Sequence, residues 1–548
     1  MSDEANVVHT QADTGRLAKD IDNYDEVVKN AAESDAKEHS QTIREAFRIH
    51  KRAVFWSVVL SAALIMEGYD VVVIASFYGH PAFLNRFGVV NPATGERVIP
   101  AEWQSGLGNG SSAGGIIGLA INGWASERFG PRRTYIVSMV GMIIAIFGPV
   151  FSQSLTALTA SEVVCGLFWG VFQTLTTAYA SEVCPIALRH YLTAYINMCW
   201  GIGIFLSSGV VRATININSD WGWRLPFVLQ WIWPVPLMIG AYYAPESPWW
   251  LVRQGRHEDA AKSVRRLTDP QYFSEADTEK TVANMIHTTA IEREMQAGTS
   301  YLQCFRGIDL RRTEIAMMVF AMQLLSGENL IGQGVQFMKE AGLGVEAQFD
   351  LNLGLNSMFI IGTMASWGLL SRFGRRTLYI AGLVSMAVVL VVIGAMGYSD
   401  RAATKWASGA LLIALNFVYN ATLGAVCYVI IAEVGSTRLR AKTIVLARCS
   451  YQIINIVCGI IVPRMLSPLA WNWGRKSGIF WFVSATLSAI YCWFRLPETA
   501  GRSYGELDVL FENKVAAWRF KKTQVDQFGL SGARSPVDEK ASASHESK

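Results

Sequence analysis

The sequence predicts an all-α membrane protein: twelve transmembrane helices in two six-helix halves, joined by a polar helical linker. Three observations carry this. Only 17% of the residues are charged and 51% are hydrophobic, against roughly 25% charged in a soluble domain. The mean hydropathy is positive, at +0.25. The apolar residues gather in runs of about 20, the length that crosses a hydrocarbon layer of roughly 30 Å at about 1.5 Å per residue.

The first half is expected to span the bilayer near 54–77, 104–126, 134–153, 156–180, 191–212 and 225–244. The second does so near 313–337, 350–370, 377–398, 407–431, 442–466 and 477–496. The chain thus divides into a disordered tail (1–50), a six-helix half (51–244), a helical linker (245–312), a second half (313–496) and a tail (497–548). No apolar leader opens the chain, so the first span is expected to serve as its own insertion signal. The linker contains HEDAAKSVRRL and EADTEKTVANMIHTTAIEREM, both spaced like amphipathic helices. Arg128, Arg132 and Arg133 cluster between spans two and three, and Arg372, Arg375 and Arg376 between spans eight and nine. Positive loops stay on the cytoplasmic side, which puts both termini and the linker inside.

Several classes are excluded. The net charge of +4 is small and no basic tract interleaves with aromatics, so nucleic acid is not an expected partner. The eight cysteines lie mostly in apolar runs without metal-ligand spacing; they read as small buried residues. No nucleophile motif, metal spacing or phosphate loop supports an enzyme, a metal or a cofactor.

The two halves repeat. SERFGPRR (126–133) matches SRFGRR (371–376). Glu182 and Arg189 match Glu433 and Arg440, and PES (245–247) matches PET (497–499). The offsets lie close together, and each pattern stands at the same end of its span. Repeats of this kind build transporters with a substrate site at the midplane between halves. The arginines are expected to pair with Glu127, Glu182 and Glu433 and to latch the cytoplasmic side when the protein opens outward.

These residues resemble the sugar-porter family of the major facilitator superfamily, from about residue 45 to 520. GWASERFGPRR, EVCPIALR, EVGSTRLR, PESPWW and PETAGR carry the resemblance. More narrowly, MEGYD (66–70), YASEVCPIALR, AKTIVLAR and WNWG look like the fungal maltose and α-glucoside permeases. The resemblance implies proton-coupled uptake of a glucoside across the fungal plasma membrane, by a monomer in the lipid bilayer. A facilitator or exporter of another sugar, polyol or glycosylated metabolite is the alternative, and a non-transporting sugar sensor the third reading. In span seven the family's Q-Q-x-S-G-x-N pattern reads QLLSGEN, with Leu324 for the second glutamine. Gln333 and Gly334 replace its tyrosine pair.

Ionisable residues within spans are costly and functional by default. Glu67 and Asp70 share a face of span one, and Glu162 lies in the outer part of span four, where family members carry arginine. Three carboxyls facing one another in a low dielectric cannot all ionise, so their shared proton is the expected coupling ion. Arg448 in span eleven is the expected inner counter-ion. Glu328 in span seven has no counterpart in the family pattern. By match to the family, the sugar is expected at Asn197, Gln323, Asn329, Tyr428, Gln452 and Asn455, with Gln173 and Tyr69 added from position. Trp223, Trp231, Trp233, Trp249, Trp471 and Trp473 read as an interfacial belt.

Overall fold

The computed structural model describes residues 41–523, apart from 93–94, 297–299, 400, 437–438, 501, 503 and 522, together with 26–27, 29–31, 33–34 and 37. Eleven of its helices are long and apolar enough to cross a membrane. In the first half these are Lys51–Phe77, Pro131–Phe151, Leu155–Val183, Tyr195–Thr214 and Trp221–Tyr243 (spans one and three to six). In the second they are Gly307–Gly332, Val345–Leu370, Arg375–Met396, Ala402–Val434, Lys442–Leu466 and Gly474–Arg495 (spans seven to twelve). The twelfth crossing, span two, is the 29-residue helix Ala101–Phe129. Its glycines lower its hydropathy but give it a specific packing partner.

Span two lies against span four at backbone contact. A Cβ on Gly118 would stand 1.9 Å from the Leu167 carbonyl oxygen, and one on Gly170 2.2 Å from that of Gly115. In lipid, where tails are as apolar as leucine, close approach of small residues is what holds helices together. Spans one and five meet in the same way: a Cβ on Gly203 would stand 2.0 Å from the Ile65 carbonyl oxygen. The repeat recurs in the hydrogen bonds. The Tyr135 hydroxyl of span three donates to Leu60 O of span one at 3.1 Å. The Tyr379 hydroxyl of span nine donates to Val319 O of span seven at 2.7 Å.

Two spans depart from regular helix where a continuous run was expected. Span seven carries a π turn at Leu324–Glu328, and Gly327 within it has φ +92°, a conformation that only glycine adopts without strain. Span ten carries a π turn at Asn420–Gly424.

The linker folds as helices Pro248–Arg253, His257–Leu267 and Glu275–Gln296. They close a separate small core of Trp250, Leu251, Ala260, Val264, Val282 and Met285. Ordered helices extend into both expected tails. Ile43–Ile49 is a helix with a Thr42–Glu45 capping box, and two ion pairs tie the preceding segment to the linker, Lys37–Asp277 at 2.7 Å and Lys280–Glu33 at 2.7 Å. At the other end Tyr504–Glu512 is helical and buries Leu507, Leu510 and Phe511, with the Arg312 guanidinium 4.5 Å from the Phe511 ring centroid. The ends of both tails lie outside the described residues. Trp223 is fully buried, edge-on to Phe83, Phe87 and Phe227, and so is a core residue rather than part of a belt; Trp471 and Trp473 are exposed as expected.

Candidate functional site

Span one carries Glu67 and Asp70, 4% and 2% exposed. Span four presents Glu162, Trp169 and Gln173 to it, since positions 7 and 11 apart share a helical face. Gln230 Nε2 of span six donates to Asp70 Oδ1 at 2.5 Å, and the Glu162 carboxyl faces Asp70. Glu162 is wholly buried, and neither of its oxygens has a hydrogen-bond partner among the described residues. No lysine, arginine or histidine of the described residues forms an ion pair with either carboxyl.

Glu67 belongs to a different cluster. Gln173 Nε2 donates to its Oε1 at 2.5 Å and Trp200 Nε1 of span five to its Oε2 at 3.3 Å. Arg448 faces it from the second half. The Arg448 guanidinium lies 4.7 Å from the Tyr451 ring centroid and 5.7 Å from that of Phe320, with Tyr428 beside it. The three carboxyls expected to face one another thus divide: Asp70 and Glu162 form a buried pair, while Glu67 has a cation across the interface. Trp200 and Gln230 were missed. The one available signal for Gln230 was a lone amide within the apolar run FVLQWIW.

The expected sugar contacts also divide. Asn197 Nδ2 donates to Thr363 Oγ1 at 3.4 Å, and Asn455 Nδ2 to Ser112 Oγ at 3.2 Å, both between halves. Gln323 Nε2 reaches Gly424 O at 3.5 Å, and Asn329 Nδ2 donates to Leu324 O at 3.3 Å, tying the π turn to itself. Tyr428 is exposed and stands edge-on to Phe320. Gln452 is half-buried on the face of span eleven that holds Arg448 and Asn455. Tyr69 donates to Pro226 O at 2.9 Å and is buried, so its hydroxyl serves packing.

A cavity of about 100 Å³ lies between the halves, bounded by Val71, Ser76, Glu328, Asn352, Asn356 and Asn416 among others. Glu328 enters it directly after the Gly327 kink. At the end of the bundle away from the linker, further contacts join the halves. Arg212 pairs with Asp350 at 2.5 Å, and Asn356 Nδ2 donates to Ser208 Oγ at 2.7 Å. His80 meets Phe349 edge-on, the ring centroids being 6.1 Å apart, within the usual spacing of ring pairs.

At the linker end the charges pair within each half or with the linker, and none of these pairs joins the two halves. Arg253 of the linker, not a loop arginine, reaches Glu182 at 2.9 Å and Glu127 at 3.6 Å, and Ser247 also bonds Glu182. Arg132 donates through its backbone N–H to Glu246 at 3.0 Å and through Nε to Ala241 O at 3.2 Å. Burial pushes the Glu246 carboxyl up from its ordinary range, against these donors and the charges of Arg132 and Arg133. In the second half Arg375 reaches Glu433 at 3.4 Å and Arg376 donates to Trp493 O at 2.7 Å. Arg128 packs over Trp124 and Arg372 is exposed. The side chains of Arg189 and Arg440 lie outside the described residues.

Residues 56–511 match the family model described as "Sugar (and other) transporter". The general alpha-glucoside permease of Saccharomyces cerevisiae is 39% identical over 507 residues, 91% of this chain and 82% of the permease. Maltose permease MAL31 of the same species is 38% identical over 519 residues, 93% of this chain and 84% of its own. Among solved structures, the inward-open conformation of the xylose transporter XylE from E. coli superposes with a TM-score of 0.67 at 20% identity, covering 83% of this chain and 98% of XylE. At that identity the likeness speaks for the major facilitator fold. The chain is a multi-pass membrane transporter, not an enzyme, and it belongs to the Sugar (and other) transporter family.

Proposed function

We propose that this protein is a proton symporter that takes up an α-glucoside such as maltose by alternating access. It works as a monomer in the plasma membrane, with the linker and both termini cytoplasmic. The observation that carries the reading is the buried Asp70–Glu162 pair without a cation. Two carboxylates in contact in a low dielectric cannot both ionise, so the pair holds one proton and titrates as a unit. Gln230 fixes Asp70 through its amide. Glu67, held by Gln173 and Trp200, lies three residues from Asp70 and within electrostatic reach of Arg448 of the second half. Rocking of the halves alters the Glu67–Arg448 separation, which gives proton occupancy a route to conformation. The substrate class follows from the permeases that this chain resembles. Asn197, Gln323, Asn329, Tyr428, Gln452 and Asn455 surround the sugar's route, and Arg132, Arg133, Arg189, Arg253, Arg375 and Arg440 serve the cytoplasmic gate.

The test is maltose uptake in a yeast lacking its own carriers, with external pH recorded in the same vessel. Alkalinisation on adding maltose, abolished by a protonophore, is the expected result. Maltose uptake without proton movement would make the protein a facilitator, and no uptake by a correctly localised protein would remove the α-glucoside assignment.

A further inference from the structure

Glu328 is a spanning carboxyl that the coupling scheme leaves unused. It lies on span seven, where Gly327 at φ +92° and the π turn Leu324–Glu328 redirect the backbone. π turns inside helices recur at functional sites, because they turn one side chain out of register. The same cavity is also lined next to the other π turn: Asn416 and Tyr419 lie in the last turn of span ten before Asn420–Gly424. Among the described residues no hydrogen bond or ion pair is found for the Glu328 carboxylate, while Tyr419 and Tyr451 stand beside it.

The neighbouring amides show what the cavity recognises. The Ser208 hydroxyl donates to Ile204 O at 2.9 Å, so its oxygen can only accept from the amides of Asn356, at 2.7 Å, and Asn352, at 3.5 Å. Asn416 Nδ2 donates to Leu355 O at 2.6 Å. The amide nitrogens are thus turned to the protein. With the oxygens of the Glu328 carboxyl beside them, the cavity is weighted towards accepting hydrogen bonds. A volume of about 100 Å³ is below the roughly 300 Å³ of a small-molecule pocket, so it takes one edge of a solute.

We propose that Glu328 is a substrate anchor: its carboxylate accepts hydrogen bonds from adjacent hydroxyls on one edge of a neutral polyhydroxylated solute, in a subsite shared with Asn352 and Asn356. This rests on the reading that the solute is a sugar or polyol, and it adds a specificity-determining residue outside the family's pattern. Glu328 is distinct from the proton carrier, so its loss weakens binding and leaves coupling intact.

The experiment compares wild type with Glu328→Gln and Glu328→Asp. It measures initial maltose uptake against concentration, protons entering per maltose, and the thermal shift of the purified protein with maltose. Removing a hydrogen bond to a charged group costs about tenfold or more in affinity. Glu328→Gln is therefore expected to raise the half-saturating concentration about tenfold or more and to lose the thermal shift, with the proton ratio unchanged. Glu328→Asp, which keeps the charge, recovers part of both. An unchanged half-saturation with Glu328→Gln, or a lost proton ratio at unchanged affinity, overturns the proposal. Where wild type ignores maltose but is stabilised by another neutral polyol or sugar, the α-glucoside reading falls, and Glu328 is judged by the same comparison with that solute. Where no such solute is bound or transported, both fall.

Discussion

Asp70→Asn removes one carboxyl of the buried pair while keeping its shape and its place against Gln230. On the proposed reading this buried pair, whose carboxyls face one another, holds a single proton. One proton entering down 100 mV supplies about 2.3 kcal/mol, enough for roughly fiftyfold accumulation of substrate; one pH unit across the membrane adds about tenfold more. With Asp70→Asn, Glu162 retains its proton without a charged neighbour, and net proton movement stops. Steady-state accumulation of a non-hydrolysed α-glucoside then falls from about fiftyfold to unity. Exchange of internal for external sugar, which needs no net proton movement, persists. The assay loads membrane vesicles under an imposed potential and reads both labelled accumulation and exchange. Accumulation by Asp70→Asn at the wild-type level, with protons still entering, would refute the assignment of the pair as the coupling site.

Three other perturbations separate the structural claims. Gly118→Leu forces apart spans two and four, where even a Cβ would meet the Leu167 carbonyl at 1.9 Å; overpacking costs roughly 1–3 kcal/mol, and a fall in surface expression and in the melting temperature of the purified protein is expected. Asn356→Ala breaks a buried amide–hydroxyl bond between halves and costs about 1–3 kcal/mol, whereas Asp350→Asn breaks an exposed pair worth about 1 kcal/mol or less. Thiol labelling of a Val72→Cys reporter from the side opposite the linker should therefore accelerate more with Asn356→Ala. Residues 43–50 dock on the linker through the Asp269 N–H donating to Ile49 O at 2.9 Å and the His50 ring edge-on to Phe273; burial there lowers the His50 imidazole to about 4 from the ordinary 6.5, so the docked segment refuses a proton that the released one accepts. Docking of residues 43–50 is then full above pH 6.5 and weakens as pH falls toward 4, which hydrogen exchange of that segment at pH 7 and pH 5 measures.

Most of the scaffold was legible because lipid imposes a simple rule: about 20 apolar residues, or no crossing. Span two satisfied it only by length, and its glycines, which dilute hydropathy, are what seat it on span four. The carboxyls were legible as types but not as partners. Glu67 and Asp70 share a helix face, yet small differences in direction send one to Gln173 and Arg448 and the other to Gln230 and Glu162. Helical spacing does not resolve that difference. Asn352, Asn356 and Asn416, which line the cavity, were not singled out, since an amide in an apolar span reads equally as interhelical packing. The π turns were not legible, since Gly327 in a family motif reads equally as a packing glycine.

The distribution of contacts bears on how the halves exchange. Away from the linker the two halves are joined by the Arg212–Asp350 pair, the His80–Phe349 rings and the Ser208–Asn356 bond. At the linker end Glu182 pairs with Arg253 of the linker that follows its half, and Glu433 with Arg375 of its own half. Closing the linker end therefore need not create new charge pairs from solvated groups; it can exchange existing partners. An exchange of exposed or half-exposed ion pairs changes the free energy by about a kilocalorie per pair, small beside the roughly 2.3 kcal/mol that one proton supplies at 100 mV. On the proposed reading, one proton on the Asp70–Glu162 pair and one solute in the cavity then suffice to bias the choice between two packings, which is the condition for coupling the two.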